Sequence, residues 1–182
     1  MAVIRRYDRR CGSANVADSD LINTPEKLLR FAIQKGFASI PLDAEGLAKA
    51  LNIEVRKQEL QDDLSGVLRK IPESGKWEML INAQHHPNRQ RYTIAHELGH
   101  YFLHRHLQVE FQDRIFFRGA ENSKEEVQAN SFASEILMPE DDFRRMVREG
   151  KNKVNDLSQE FGVSTLALRI RAKNLGMSGH GL

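Results

Sequence analysis

Residues 91–104 read RYTIAHELGHYFLH, in which His96 and His100 stand four positions apart on either side of Glu97. On an α-helix this spacing places both imidazoles on one face, one turn apart, where they can bind a single zinc ion. Glu97 lies about 100° further around the helix, where it can take a proton from water without being a ligand. The pattern therefore predicts a helical zinc site with His96 and His100 as metal ligands and Glu97 as the catalytic residue.

The other positions of this segment predict a buried helix. Opposite the histidines lies an apolar face made of Ile94, Leu98, Tyr101 and Phe102. Glu97 is the only acidic or basic residue, apart from the histidines, between positions 93 and 103. Gly99 costs roughly 1 kcal/mol of helix stability relative to alanine, which suggests that another element packs closely there.

A catalytic zinc site needs a third protein ligand and one open position, and the sequence offers two alternatives. His106 stands where some zinc peptidases place a third histidine, but Leu103 replaces the glycine that would let the chain turn back. His104 lies ~12 Å along the helix axis from His96. We therefore expect His104 and His106 to be surface or cleft-rim residues.

The second alternative is a carboxylate from a helix predicted at 124–137. Glu125 and Glu126 both lie at core-facing spacing from the apolar residues of that helix, and a buried carboxylate needs a partner such as a zinc ion. A capping box of Ser123 and Glu126 explains the local pattern about as well. Periodicity alone does not choose between the two glutamates.

The motif helix, together with residues 126–139 (EVQANSFASEILMP), resembles the ImmA/IrrE family of metallopeptidases, and the similarity spans about residues 25–176. This resemblance implies a gluzincin-like HExxH zinc endopeptidase in which Glu126 is the third metal ligand. It also implies that Asn130 orients the ligands without binding the metal. The implied partner is a protein substrate, typically a helix-turn-helix repressor or an antitoxin-like regulator.

The remaining pattern predicts an α+β fold, in which a zincin-like core with a small three-stranded sheet packed on helices precedes a helix-turn-helix-like helical pair. Strands are expected near 53–55, 67–71 and 77–81, and helices at 25–35, 43–51, 89–105, 124–137, 140–149, 154–161 and 165–174, with 108–121 irregular. We divide the chain into a flexible N-terminal arm (1–23), a peptidase domain (24–150) and a C-terminal segment with a tail (151–182).

The C-terminal pair predicts either DNA binding or a cap that packs on the protease or docks a partner. Its second helix carries Arg169, Arg171 and Lys173. We favour the cap, because the net charge of the chain is only +2 and runs of charge are usually solvated faces.

Composition excludes several other classes of protein. A single cysteine, Cys11, cannot build a disulfide framework or a cysteine-rich zinc site. No apolar run is long enough for a signal peptide or a membrane span, so we expect a cytoplasmic protein with no membrane partner. Two alternative functions remain: a non-enzymatic, zinc-containing DNA-binding regulator, and the toxin of a toxin–antitoxin pair. A structural zinc site would have no need of Glu97.

Two features of the mechanism stay open at the level of sequence. Candidates for the group that stabilises the oxyanion are His85, His86, Arg89, Arg91, Tyr101 and His104. An exposed edge of the predicted sheet could hold an extended substrate by strand addition, in which case a proline in the 77–81 strand should lower turnover.

Overall fold

A computed structural model describes residues 22–38, 40–114 and 123–177 of the chain. The predicted flexible arm lies outside these residues except for its last two positions, and so do Cys11 and the last five residues of the chain. No helix within the described ranges is long and apolar enough to cross a membrane.

The helices lie close to their predicted positions. They are α1 (Pro25–Lys35), α2 (Ala44–Ala50), α3 (Pro87–Leu103), α4 (Lys124–Leu137), α5 (Glu140–Arg148), α6 (Val154–Phe161) and α7 (Thr165–Asn174). The motif helix α3 begins two residues earlier than expected. Its start is fixed by Pro87 at the first helical position and by the ring of His86, whose Nδ1 accepts a hydrogen bond from the backbone N–H of Asn88 at 3.2 Å.

The sheet has four strands, not the three that the sequence predicts. They are β1 (Glu54–Gln58), β2 (Leu64–Lys70), β3 (Trp77–Asn82) and β4 (Glu110–Arg114), in the spatial order β1-β3-β2-β4. β1 runs parallel to β3, whereas β2 is antiparallel to both β3 and β4. β4 replaces part of the region expected to be irregular. Its polar sequence gives little strand signal, and backbone pairing with β2 fixes it instead.

This order also decides where strand addition is possible. β3 lies between β1 and β2, so a proline there would remove a hydrogen bond inside the sheet rather than block a free edge. Among the described strands the edges are β1 and β4. A proline in β3 therefore does not test strand addition, which would take place at β1 or β4.

Helix α3 is held between the sheet and α4. A Cβ atom added at Gly99 would lie 2.9 Å from the Cα and 3.0 Å from the carbonyl oxygen of Ala129 in α4. Glycine is therefore required for the two backbones to approach this closely, as its place in the sequence suggests. This close crossing brings the first turns of α4 against the histidine face of α3.

The C-terminal pair α6 and α7 packs on the same hydrophobic core as the rest of the described chain. Phe161 stacks on Phe143 of α5, with ring centroids 5.6 Å apart. The carbonyl oxygen of Gly162, in the turn between the two helices, accepts a hydrogen bond from Nη1 of Arg91 at 2.8 Å. The two helices are thus confirmed and are attached to the beginning of α3. The division of the chain at position 150 and DNA binding by this pair stay predictions.

Candidate metal centre

Three side chains from two helices converge on one point. His96 and His100 of α3 are 1% and 2% exposed, and their Nε2 atoms lie 3.0 Å apart. Glu126, in the first turn of α4, places Oε2 at 3.2 Å from Nε2 of His96 and Oε1 at 3.2 Å from Nε2 of His100. One ligand atom from each of these residues lies within 4.8 Å of the others, so the cluster can hold a metal ion.

Hydrogen bonds on the far side of each ring leave both Nε2 lone pairs pointing into the cluster. Oδ1 of Asn130 lies 3.2 Å from Nδ1 of His96. Because an amide oxygen only accepts, Nδ1 of His96 carries the proton and its Nε2 has a free lone pair.

A second chain of hydrogen bonds sets the tautomer of His100. Oε1 of Gln128 lies 3.0 Å from Nε2 of His104, so that nitrogen donates. Nδ1 of His104 can then only accept, and it lies 3.1 Å from Nδ1 of His100. The proton of His100 is consequently on Nδ1, and its Nε2 is also free to bind a cation.

Two lone pairs and a carboxylate at this separation repel one another unless a cation lies between them. The pKa values of the cluster residues show the same preference for positive charge. Burial lowers the pKa of His96, but hydrogen bonding to Glu126 and the nearby carboxylates outweigh burial and raise it to about 9. Burial raises the pKa of the Glu126 carboxyl, but the two histidines outweigh burial and hold it well below its usual range. Both directions show that the cluster favours positive charge between its ligand atoms, as a site for a metal cation does.

Glu97 lies beside the cluster but is not part of it. Its side chain is fully buried, and neither carboxylate oxygen has a hydrogen-bond partner among the described residues. Burial raises the pKa of this carboxyl well above its ordinary value. A Cβ at Gly66 of β2 would lie 3.1 Å from Oε1 of Glu97, so a glycine in the strand makes room for the carboxylate. Such an unsatisfied buried acid is typical of a group kept for chemistry.

The structure separates the two candidate glutamates. The side chain of Glu126 turns to the histidines, whereas that of Glu125 hydrogen-bonds to Ser123 at the start of α4. Oγ of Ser123 also accepts a hydrogen bond from the backbone N–H of Glu126 at 3.3 Å. The helix cap and the approach of Glu126 to the histidines therefore coexist, and neither alternative excludes the other.

His104 corrects one sequence expectation. It is only 3% exposed and contacts His100 and Gln128, so it is neither a surface nor a cleft-rim residue. The expectation fails because it considers only the axial distance from His96, whereas the histidine one turn before His104 is His100. His106 is exposed, as expected.

Replacing His104 by alanine should weaken metal binding by about 10- to 100-fold, the usual cost of losing a group that orients a ligand. The affinity is measured by competition with a chromophoric chelator. His106→Ala is the matched control and should bind the metal as the wild type does. Equal affinities of the two variants would show that His104 does not orient His100.

Four of the five remaining predicted candidates have structural contacts. Tyr101 packs edge-on against Trp77 in the core, with ring centroids 5.7 Å apart. Arg91 anchors the C-terminal pair, and Nη2 of Arg89 donates to Oγ of Ser65 at 3.0 Å. His86 caps α3, and the Nδ1 atom of His85 is buried without a partner among the described residues.

Sequence reasoning missed two residues near the cluster. The hydroxyl of Tyr92 donates to Oδ1 of Asn130 at 3.1 Å. Its position four residues before His96, on the histidine face, is the signal that points to it. Asp113 of β4 is largely buried, and burial raises its pKa, although the charge of His96 opposes that rise. Asp113 carried no signal because β4 was not expected.

Two histidines one turn apart on a helix and a glutamate from a second helix form a donor set that metal-dependent hydrolases use, and a separate buried glutamate lies beside it. The chain belongs to the peptidase M78 family, because the family model described as the IrrE N-terminal-like domain matches residues 48–173. The matched range contains the whole cluster, and the match confirms the resemblance to ImmA/IrrE proteins. A comparison with curated proteins found no match.

Proposed function

We propose that the chain is a zinc-dependent endopeptidase that cuts a protein substrate. The observation that carries this proposal is the convergence of His96, His100 and Glu126 beside the carboxylate of Glu97, which has no hydrogen-bond partner within the described ranges. Two imidazoles, one carboxylate and an open fourth position form a ligand set that zinc peptidases use. Zinc bound there supplies a Lewis acid that polarises the scissile carbonyl and makes water nucleophilic near neutral pH.

Glu97 is the general base and acid of the proposed reaction. Its carboxylate accepts a proton from the attacking water and then delivers it to the nitrogen of the leaving amine. Because neither oxygen has a hydrogen-bond partner among the described residues, both are available for this transfer. A purely structural metal site gains nothing from such a group, and this favours the enzyme over a non-enzymatic zinc regulator.

Tyr92 is the best-placed donor for the oxyanion of the tetrahedral intermediate. Its hydroxyl bonds to Asn130, which in turn contacts His96, and its side chain lines the open cleft next to the cluster. It is thus linked to the cluster through Asn130, whereas Tyr101 and Arg91 contact the core and the C-terminal pair. To act, the O–H of Tyr92 would turn from Asn130 to the oxyanion, and such donors are among the larger contributions to catalysis.

The proposed substrate is a helix-turn-helix transcription regulator or an antitoxin-like protein, which places the reaction in the cytoplasm. The C-terminal pair supports a protein partner better than DNA. Arg171, one of the three basic residues of α7, is 9% exposed and donates to the carbonyl oxygen of Met138 at 3.1 Å. That guanidinium stabilises the fold and is not available for phosphates. No feature of the described residues favours a toxin.

The substrate class is tested by incubating zinc-loaded protein with a lysate of the source cells and mapping new protein N-termini by mass spectrometry. We expect new termini in a helix-turn-helix regulator, and we expect them to be absent when Glu97→Gln protein is used. New termini confined to proteins of other classes would refute the proposed substrate. If none of the new termini depends on Glu97, the result would argue against endopeptidase activity on cellular proteins.

A further inference from the structure

A cleft of about 640 Å³ opens next to the metal cluster, between the first half of α3 and the helices α4 and α7. This volume lies in the range of roughly 300–1,000 Å³ typical of ligand sites. Tyr92, Asp113 and Asn130 are among its lining residues. Asn130 also contacts His96, and Val127 follows Glu126 in the chain, so the cleft borders the candidate metal centre.

The cleft exposes apolar side chains that the fold does not use. Val127 of α4 is 54% exposed, and Leu166 and Ile170 of α7 are 67% and 51% exposed. Six large hydrophobic residues are exposed in the described part of the chain, and three of the six line this cleft. Single exposed hydrophobic residues are ordinary, but a cluster in a concave site marks a surface that binds something apolar.

The same cleft contains a buried polar group without a partner. Ser134, one turn before the end of α4, is 9% exposed, and its hydroxyl makes no hydrogen bond to any described residue. A buried hydroxyl that is left unsatisfied destabilises the fold. A backbone N–H or carbonyl group of a bound polypeptide would satisfy it.

These features fit a polypeptide better than a nucleic acid. The face of α7 that lines the cleft presents Leu166, Ala167 and Ile170 rather than its basic residues. A helix that reads DNA would direct polar and basic side chains outward from such a face. The cleft also contains one basic and one acidic residue, Arg89 and Asp113, whose charges balance. An apolar wall with scattered hydroxyls and amides instead matches an extended peptide that carries a large apolar side chain.

We propose that this cleft is the specificity subsite of the enzyme, and that it receives a substrate segment with a large apolar side chain next to the scissile bond. Leu166 and Ile170 contact that side chain, and the hydroxyl of Ser134 bonds to the substrate backbone. The proposal rests on the proposed peptidase function and adds the kind of sequence that is cut. It also makes α7 a part of the substrate-binding site of the protease, not a separate binding module.

The test measures peptide binding separately from cleavage. Zinc-loaded full-length protein carrying Glu97→Gln is titrated with fluorescein-labelled octapeptides of alanine and glycine that differ only at one central position. We expect a peptide with leucine or phenylalanine there to bind about 10- to 100-fold more tightly than one with serine or aspartate. Leu166→Asp and Ile170→Asp should each remove most of this preference, and Ser134→Ala should weaken all peptides alike.

Ile33→Asp is the matched control, because Ile33 is 61% exposed on α1 and does not line the cleft. No preference for apolar peptides, or equal effects of Ile33→Asp and Leu166→Asp, would overturn the subsite. The subsite would also be overturned if Leu166→Asp changed only the oligomeric state measured by sedimentation. That result would show that the cleft binds a second copy of the chain. If Leu166→Asp lowered the Tm but left the peptide affinity unchanged, the cleft would be filled by residues of the chain itself.

Cleavage of the same peptides by the zinc-loaded wild type distinguishes the two proposals. A binding preference without any cleavage would leave the apolar subsite in place and refute the endopeptidase. Cleavage that ignores the central residue and is unaffected by Leu166→Asp would support the endopeptidase and refute the subsite.

Discussion

Glu97→Gln should lower kcat/KM of the zinc-loaded protein by about 10²–10⁴-fold, the usual contribution of a general base. Glutamine has nearly the shape of glutamate but cannot take a proton from water. The metal should remain bound at one ion per chain, because Glu97 lies outside the cluster of His96, His100 and Glu126. Rates are measured on a peptide cut by the wild type, and metal content by elemental mass spectrometry.

An isosteric change is needed because the space around Glu97 is tight. A Cβ at Gly66 would lie only 3.1 Å from its carboxylate, whereas alanine at position 97 would leave a cavity and confound the result. Glu125→Gln, on the partly exposed start of α4, is the control and should keep full activity. Full activity of Glu97→Gln would remove Glu97 from the mechanism.

The same variant should not lose stability. The wild-type carboxylate is fully buried and has no hydrogen-bond partner among the residues that the structure describes, so its charged form is costly to bury. Glutamine carries no charge. We therefore expect the free energy of unfolding of metal-free Glu97→Gln to equal or exceed that of the wild type, as is common when a catalytic residue is removed. Urea unfolding of the metal-free proteins measures it.

Local periodicity was enough to predict the motif helix and the direction of its histidines, because both depend only on residues within two turns of each other. The choice of Glu126 required the family resemblance. Its helix is more than twenty residues away in the chain, and Glu125 fits the same periodicity. In the structure, the contacts of Glu126 with both histidines show which glutamate approaches them, and the close crossing at Gly99 and Ala129 makes this approach possible.

The features that sequence reasoning missed depend on tertiary contacts. β4 is polar and is held by pairing with β2, so neither the fourth strand nor Asp113 could be expected from hydrophobic alternation. The burial of His104 depends on its contact with His100, not on its distance from His96. The cleft is assembled from α3, α4 and α7, whose lining residues are far apart in the chain.

Glu126→Ala should lose the metal and with it the peptidase activity. Changing a residue that only orients a ligand costs about 10- to 100-fold in metal affinity, so the loss of a direct ligand should exceed 100-fold. Elemental mass spectrometry of the purified protein should find about one zinc per chain in the wild type and in Glu125→Ala, and far less in Glu126→Ala.

Thermal unfolding gives a second readout that does not depend on activity. Zinc at 100 times its Kd stabilises a protein that binds it only when folded by about 2.7 kcal/mol, so added zinc should raise the Tm of the wild type and of Glu125→Ala. Glu126→Ala should show no rise. If Glu126→Ala retained one zinc per chain, the third ligand would have to be another carboxylate. Asp113 is then the residue to replace, because it is largely buried and interacts electrostatically with both His96 and His100. Loss of zinc in Asp113→Ala but not in Glu126→Ala would move the third ligand from α4 to β4.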